Sequence, residues 1–422
     1  MIYVISKDGQ PLMPTKCHGK VKHMLRDGRA KVVQRTPFTI RLTYESTTYT
    51  QPIALGIDAG SKTVGISATT DDEELYSAEL TLRNDIVDLL STRRQFRSAR
   101  RNRKTRYRQP RFNNRRKPKG WVAPSIQHKI DTHLKAVAQI HNILPITHII
   151  VEVAAFDIQK IKNPDVSGEK YQQGDQLGFW NVREYVLFRD GHKCQHCKGK
   201  SKDRILNVHH IESRKTGGDA PNNLITLCET CHDKHHDGEI KLKVKRGASF
   251  KDTAFIGIMR WAFYNRLKEL YPNVNLTYGY ITKNTRIRNG LEKSHRTDAR
   301  CIANVKATSS DIWYRQKAVR RNNRSLHKAT INKGGYRKAN QAPKFVYGFQ
   351  LFDKVRYGGQ ECFVFSRRTS GYFDLRMLDG TKVHASANYK KLKLLETANT
   401  ILFERRTRIP PPPIEVGVSC AT

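Results

Sequence analysis

Ala54-Leu55-Gly56-Ile57-Asp58-Ala59-Gly60 is the stretch on which the fold reading turns. It is an apolar run of strand length that ends in an acid, with glycine two residues later. Val64-Gly65-Ile66 continues it, so residues 53–80 read as strand, tight glycine turn and second strand. Farther along, Ile126, Ile130, Leu134, Val137 and Ile140 recur at helical spacing within Ser125 to Leu144. A mostly apolar strand follows from Thr147 to Val153 and puts a second acid, Glu152, at its end. Helical stretches cover 254–270 and 298–307, with a strand at 274–280 between them. His295 and Asp298 stand at i and i+3, on one helical face. Asp58, Glu152, His295 and Asp298 therefore form an ordered series of candidate catalytic residues, although an acid at a strand end is by itself commonly a capping or salt-bridge group.

The strongest chemical pattern lies between the second and third members of that series. Cys194-x-x-Cys197 and Cys228-x-x-Cys231 are separated by thirty residues. Four thiolates so spaced suit a closed tetrahedral Zn²⁺ site, structural because no coordination position is left open. The zinc is expected to staple a small hairpin-and-helix unit. Five histidines, His209, His210, His232, His235 and His236, crowd the same region. His232 and His236 share a helical face. One of the paired His209-His210 can complete a divalent-metal site and the other can deprotonate a water. Phosphodiester hydrolysis needs both, a cation for the charged transition state and a base for the nucleophile. The bland alternative is a zinc-knuckle DNA-binding module with incidental histidines, and His235 reads as solvent-facing.

The chain has 422 residues and a formal net charge of +39, from 77 Lys+Arg against 38 Asp+Glu. Such an excess draws a chain to polyanions, of which nucleic acid is the commonest. The charge is concentrated. Residues 93–119 hold fourteen Lys/Arg and residues 315–344 hold ten, both without an acid. The first run reads as a helix up to Pro110 with basic residues on every face, and such a helix needs polyanion around it rather than an apolar core. Its nucleic-acid-binding candidates are Arg93, Arg94, Arg97, Arg100, Arg101, Arg103, Lys104, Arg106, Arg108, Arg111, Arg115 and Arg116. The second run, rich in Gly and Asn, reads as a loop-rich linker or a segment ordered by nucleic acid rather than a core element.

Residues 1–50 carry short alternating runs of a small α+β unit, and 345–405 alternate with glycine turns in a small β-barrel pattern. Pro410 to Pro413 read as an extended tail. No apolar run of about 18 residues exists, so no transmembrane helix is expected. A signal peptide is not expected either. Eight cysteines, four of them in the two knuckles, suit a reducing cytoplasm better than a disulfide scaffold. Cys17-His18 reads as ordinary packing.

The cysteine and histidine region resembles the HNH, or ββα-metal, nuclease family. On that resemblance His210 is the general base, His209, His232 and His236 hold the catalytic cation, and Asn223 braces the base-bearing loop. The ordered acids resemble the RuvC, or RNase H-like, nuclease fold, whose carboxylates bind two Mg²⁺. There Asp58, Glu152 and Asp298 would be the ligands and His295 would position or help deprotonate the water. A RuvC-like sheet split by an arginine-rich helix and an inserted HNH domain is the layout of the two-nuclease CRISPR effectors. Only 93 residues separate Asp58 from Glu152, too few for a large recognition lobe. Pro11-Leu12-Met13-Pro14 resembles the PLMP motif of IscB proteins, and Gly290 to His295 is also similar. The chain is therefore identified as resembling the IscB family, compact transposon-associated RNA-guided nucleases.

The resemblance implies a multidomain α/β protein: an RNase H-like mixed sheet with helices, an inserted ββα-metal HNH domain with zinc knuckles, and a small C-terminal β-barrel-like domain. The expected boundaries are 1–50 PLMP domain, 51–87 RuvC part I, 88–119 arginine-rich bridge helix, 120–180 RuvC part II and 181–246 HNH. After these come 247–308 RuvC part III, 309–344 basic linker or RNA-binding segment, 345–409 target-adjacent-motif and RNA interaction domain, and 410–422 flexible tail. It further implies one protein copy with a large guide RNA acting on double-stranded DNA in a prokaryotic cytoplasm, without membrane. HNH would cut the guide-paired strand and RuvC the displaced strand. The expected cofactors are Mg²⁺ or Mn²⁺ at both nuclease sites, besides zinc. A protein-guided nuclease of homing type, needing no RNA, is the rival reading.

Overall fold

The structure, a computed structural model, describes residues 1–101, 121–153, 175–213, 218–247, 251–320 and 343–407. The chain divides into two compact units, one made of Met1–Ala154 with Ile256–Thr422 and the other of Ala155–Phe255. The strands are β1 (Ile2–Ile5), β2 (Pro11–Thr15), β3 (Ala30–Gln34), β4 (Thr39–Leu42), β5 (Ala54–Ala59), β6 (Thr63–Thr69), β7 (Glu74–Thr81), β8 (His148–Glu152) and β9 (Leu206–His210). The remaining strands are β10 (Leu224–Cys228), β11 (Val274–Thr277), β12 (Ile312–Ala318), β13 (Lys354–Tyr357), β14 (Gln360–Arg367), β15 (Tyr372–Arg376), β16 (Lys382–Asn388), β17 (Lys393–Glu396) and β18 (Ile401–Thr407).

A seven-stranded sheet in the order β11-β8-β5-β6-β7-β12-β18 organises the first unit. β5, β6 and β7 are an antiparallel meander, while β8 runs parallel to β5 and β11 parallel to β8. The register Ile57↔Val151 makes the next residues on each strand, Asp58 and Glu152, neighbours at one end of a parallel pair. That is the end of a parallel sheet at which ligands bind. Strand residues such as Leu55, Ile57, Ile66, Leu80 and Val151 are buried, which fits their unbroken apolar pattern.

The helix His295–Ala303 lies directly on β5 and β6. Two strand glycines allow this. A Cβ at Gly56 would fall 2.2 Å from the Ala299 carbonyl oxygen, and one at Gly65 would fall 1.9 Å from that of His295. No side chain fits there, so backbone meets backbone and the helix brings His295 and Asp298 down to the sheet. Ser294 caps it, its Oγ accepting from Thr297 N at 3.1 Å. The helix Pro124–His141 inserts Ile130, Val137 and Ile140, and its Lys129 Nζ donates to the Ser61 carbonyl at 2.5 Å, fixing the turn after β5.

At the N-terminus, β2-β1-β4-β3 form a sheet whose core includes Ile2, Val4, Ile40 and Leu42, with Val21 and Met24 from the helix His18–Arg26. At the other end, β16-β15-β14-β13-β17 form an antiparallel sheet around Val355, Cys362, Val364, Phe373 and Leu375.

Two expectations change. Residues 309–344 do not form a linker throughout. Ile312–Ala318 are β12 of the main sheet, with Tyr314, Gln316 and Ala318 buried and Arg315 and Lys317 on the opposite face. A basic residue at every second position reads as a charge run in sequence and as a half-buried strand in structure. Residues expected to close a C-terminal barrel instead divide, because β18 leaves to pair with β12. The parts of the linker at 321–342 and of the tail at 408–422 lie outside the described residues.

Candidate metal centres

The second unit carries a helix, Val182–Arg189, then the hairpin β9-β10 and the helix Glu229–His236. Its first knuckle is a left-handed turn: Lys198 and Gly199 have φ of 55° and 88°. Gln195 N donates to Thr226 O at 2.9 Å, tying this knuckle to β10. Cys228 ends β10 and caps the helix, whose first turn holds Cys231. The Sγ atoms of Cys194, Cys197, Cys228 and Cys231 lie within 4.8 Å of one another. Ser201 Oγ sits 3.3 Å from Cys197 Sγ and pulls that thiol down to about 6. Burial and the neighbouring sulfurs push the Cys231 thiol upward. Four sulfurs so close cannot all ionise without a cation, and a tetrahedral Zn²⁺ suits them.

The hairpin register sets up the second centre. β9 and β10 pair with Leu224↔His210 and Ile225↔His209. Strand alternation then sends His209 and His210 to opposite faces. His209 is buried, and one ligand nitrogen each from His209, His232 and His236 lies within 4.8 Å of the others. Burial, with the surrounding histidines adding to it, lowers the His209 pKa to about 4, so its lone pair is free at neutral pH. The Nε2 atoms of His232 and His236 face each other at 3.3 Å, an arrangement a shared cation relieves. Three imidazoles so placed can hold a divalent ion.

His210 points the other way, its Nε2 2.9 Å from Asp219 Oδ1. An ionised carboxylate only accepts, so Nε2 donates and Nδ1 keeps the lone pair. Asn223 is fully buried. Its Nδ2 donates to the carbonyls of Glu212 at 3.0 Å and Gly218 at 2.9 Å, and its Oδ1 accepts from Glu212 N at 2.9 Å. It thereby pins both described ends of the loop between His210 and Asp219. His235 is half-buried, not solvent-facing, with Nδ1 3.1 Å from the Ile240 carbonyl oxygen.

In the first unit the carboxylates gather without converging. His295 Nδ1 lies 2.6 Å from Asp58 Oδ2, and Arg286 Nε lies 2.8 Å from Asp298 Oδ1. Burial raises Glu152 to about 7, with the charges of Asp58 and Asp298 adding to the rise. Burial and then Asp58 also raise Asp298. The bond to Asp58 raises the His295 imidazole. Gly279 makes room for Glu152, since a Cβ there would fall 2.9 Å from its Oε1. No three of these oxygen and nitrogen donors share a 4.8 Å cage, and two of the acids face His295 and Arg286 instead. Carboxylate oxygens gathered closely enough for Asp58 to raise both Glu152 and Asp298 nonetheless fit a hard divalent ion by chemistry and charge.

Sequence reasoning missed Asp219 and Arg286. Asp219 follows a Gly-Gly pair in the sequence, nine residues beyond His210. Arg286 stands twelve residues before Asp298, on another helix, and nothing local marks it. The helix Ile86–Arg101 is present, and Arg93 and Arg94 are exposed on it. The side chains of Arg97, Arg100, Arg101, Arg103, Lys104, Arg106, Arg108, Arg111, Arg115 and Arg116 lie outside the described residues.

Two families match the chain. One, described as RRXRR protein, matches residues 2–174, and the other, HNH endonuclease, matches residues 194–238. The second match takes in all four knuckle cysteines and His209, His210, Asn223, His232 and His236. The inserted unit thus carries an HNH endonuclease domain, whose chemistry is DNA cleavage. Anaredoxin from Nostoc sp. (strain PCC 7120) is 44% identical over 41 residues, 10% of this chain and 54% of that protein. The chain thus spans about half the length of that curated relative. Among solved structures, Streptococcus thermophilus Cas9 in complex with the AGAA PAM is 15% identical, over 43% of this chain and 26% of that one, with a TM-score of 0.28. The Type II-C Cas9 enzyme from Actinomyces naeslundii is 11% identical, over 60% of this chain and 59% of that one, with a TM-score of 0.25. No helix among the described residues is long and apolar enough to cross a membrane.

Proposed function

We propose that this chain, in which an HNH endonuclease domain interrupts in sequence a unit with a carboxylate-bearing sheet, is an RNA-guided DNA endonuclease with two hydrolytic centres. The observation that carries the nuclease reading is the HNH geometry: three metal-competent imidazoles beside a base with a fixed tautomer. What supports a second centre is the side-by-side placement of Asp58 and Glu152, with Asp298 lowered onto them by Gly56 and Gly65. Guide RNA is supported by the charge of +39 and its two acid-free runs, together with the IscB-like order of motifs in the sequence.

In the HNH unit, His209, His232 and His236 would hold a divalent ion, and bound metal supplies charge stabilisation for the phosphodiester transition state. His210 takes the proton of the attacking water at Nδ1. Asp219 holds the imidazole in that tautomer and stabilises the imidazolium that results. Asn223 keeps the loop between them in place. In the sheet unit, Asp58, Glu152 and Asp298 would hold Mg²⁺ or Mn²⁺. His295 orients Asp58 through its 2.6 Å bond, and that bond favours the protonated ring, so His295 serves as a proton donor before it can serve as a base. The HNH centre would cut the guide-paired strand and the sheet centre the displaced one, with one protein copy per ribonucleoprotein.

The deciding experiment is to purify the chain from its own locus and sequence any RNA bound to it. A defined RNA, with cleavage lost on RNase treatment and restored by that RNA, supports the reading. Cleavage of a defined sequence by RNA-free protein would establish the protein-guided alternative instead.

A further inference from the structure

The helix His295–Ala303 has a second working flank. Arg296, Thr297 and Arg300 stand on a side of it different from that of His295 and Asp298, with Arg296 and Arg300 at i and i+4. They line a cavity of about 340 Å³ against Glu74, Ser310 and Trp313. Nothing in the proposed cleavage chemistry uses this cavity.

Its lining has the makings of a nucleotide site. The Arg296 guanidinium lies over the Trp313 ring at 4.7 Å, which holds a long side chain flat and in place. Among the described residues neither Arg296 nor Arg300 has a carboxylate oxygen within 4.0 Å, although the helix passes close to Glu79. Two arginines beside a cleft without an ion pair are available to an anion. Glu74 is buried and accepts from Ser67 Oγ at 2.6 Å and Ser310 N at 3.0 Å. Each of its carboxylate oxygens keeps a further lone pair for a donor in the cleft. The combination is a stacking plane, a buried acceptor and a free guanidinium. A lone phosphate would be repelled by Glu74 and would have no use for the stack. A base uses both, and its phosphate uses Arg300. The volume accepts one nucleotide and excludes a duplex.

We infer that this cavity binds one unpaired nucleotide of a single-stranded nucleic acid, its base on the Arg296–Trp313 stack and its phosphate at Arg300. The strand is either RNA or displaced DNA. The inference rests on the cavity and not on cleavage, so it stands or falls separately from the two-centre reading.

Single-stranded oligonucleotides carrying 5-iodouracil, one of RNA and one of DNA, are irradiated with the full-length chain, and adducts are mapped by mass spectrometry. An adduct on the β12 peptide containing Trp313 is expected, and the arm that gives it identifies the strand. The double variant Arg296→Ala/Arg300→Ala should lose that adduct about tenfold, while adducts in the arginine-rich segment 93–119 persist. An unchanged thermal midpoint in the variant shows that the fold is kept. Adducts found only elsewhere, an undiminished β12 adduct in the double variant, or equal competition by duplex overturns the inference.

Discussion

His295 and Asp58, 237 residues apart in sequence, meet through a 2.6 Å contact between Nδ1 and Oδ2. Arg286 does the same for Asp298 at 2.8 Å. Two of the three acids that would hold metal are therefore already facing positive or protonatable groups of the protein. Among the described residues Glu152 has no ion pair, and burial raises its carboxyl to about 7.

Removing one centre should leave the other working. Asp58→Ala is expected to yield an enzyme that still cuts the guide-paired strand and no longer cuts the displaced one. His210→Ala should do the reverse, with a loss of about 10²- to 10⁴-fold at that strand. A duplex labelled separately on each strand reads this directly, and both strands cut in either variant would end the two-centre assignment.

The Glu152 shift fixes a pH dependence. Its carboxyl holds a proton in the folded chain between 4.5 and about 7, where the unfolded chain has already lost it. Stability from this group is therefore present below 4.5 and falls as pH rises toward 7, by on the order of 3 kcal/mol. Thermal midpoints of the wild type and Glu152→Gln, taken with chelator from pH 5 to pH 8, should differ in slope in that sense. Metal should tighten across the same window, because it competes with that proton.

Asn223→Ala strips three hydrogen bonds from a fully buried position. Leaving those backbone groups unsatisfied should cost roughly 2–4 kcal/mol in the inserted unit. HNH-strand cleavage should fall with it. Zinc content, measured by atomic absorption, should not.

Gly65→Ala places a methyl 1.9 Å from the His295 carbonyl, against backbone that cannot yield locally. The helix must lift, at a cost of about 1–3 kcal/mol or more. Cleavage of the displaced strand should be lost while HNH cleavage survives, and an equal loss at both centres would argue against this seat for the helix.

Cys194→Ser is expected to remove one tightly held zinc per chain and to render residues 155–255 sensitive to protease, since the free energy of metal binding there is folding free energy. His232→Ala should keep that zinc, because the two donor groups are separate.

What could be read in the sequence was local. Two C-x-x-C pairs, paired histidines and His-x₃-His each announce themselves over a few residues, and strand alternation alone separates His209 from His210. Acids at strand ends were visible, and their adjacency followed only once the register Ile57↔Val151 was known. The strand β12 was hidden because its outward residues are basic, as a linker's would be. The departure of β18 from its neighbours, the pairing of Arg286 with Asp298 and the seating of a helix on Gly56 and Gly65 are contacts between distant segments. Periodicity carries no information about such contacts.

The cations that the sheet unit supplies to its own acids bear on how the molecule meets metal scarcity. With His295 against Asp58 and Arg286 against Asp298, the acids can be close without metal, so this unit can be made, folded and stored unloaded. The inserted unit draws its four thiols together with a buried Cys231 that resists ionising unaided. A chelator would thus silence one centre and let it recover on resupply, whereas the other would lose its shape.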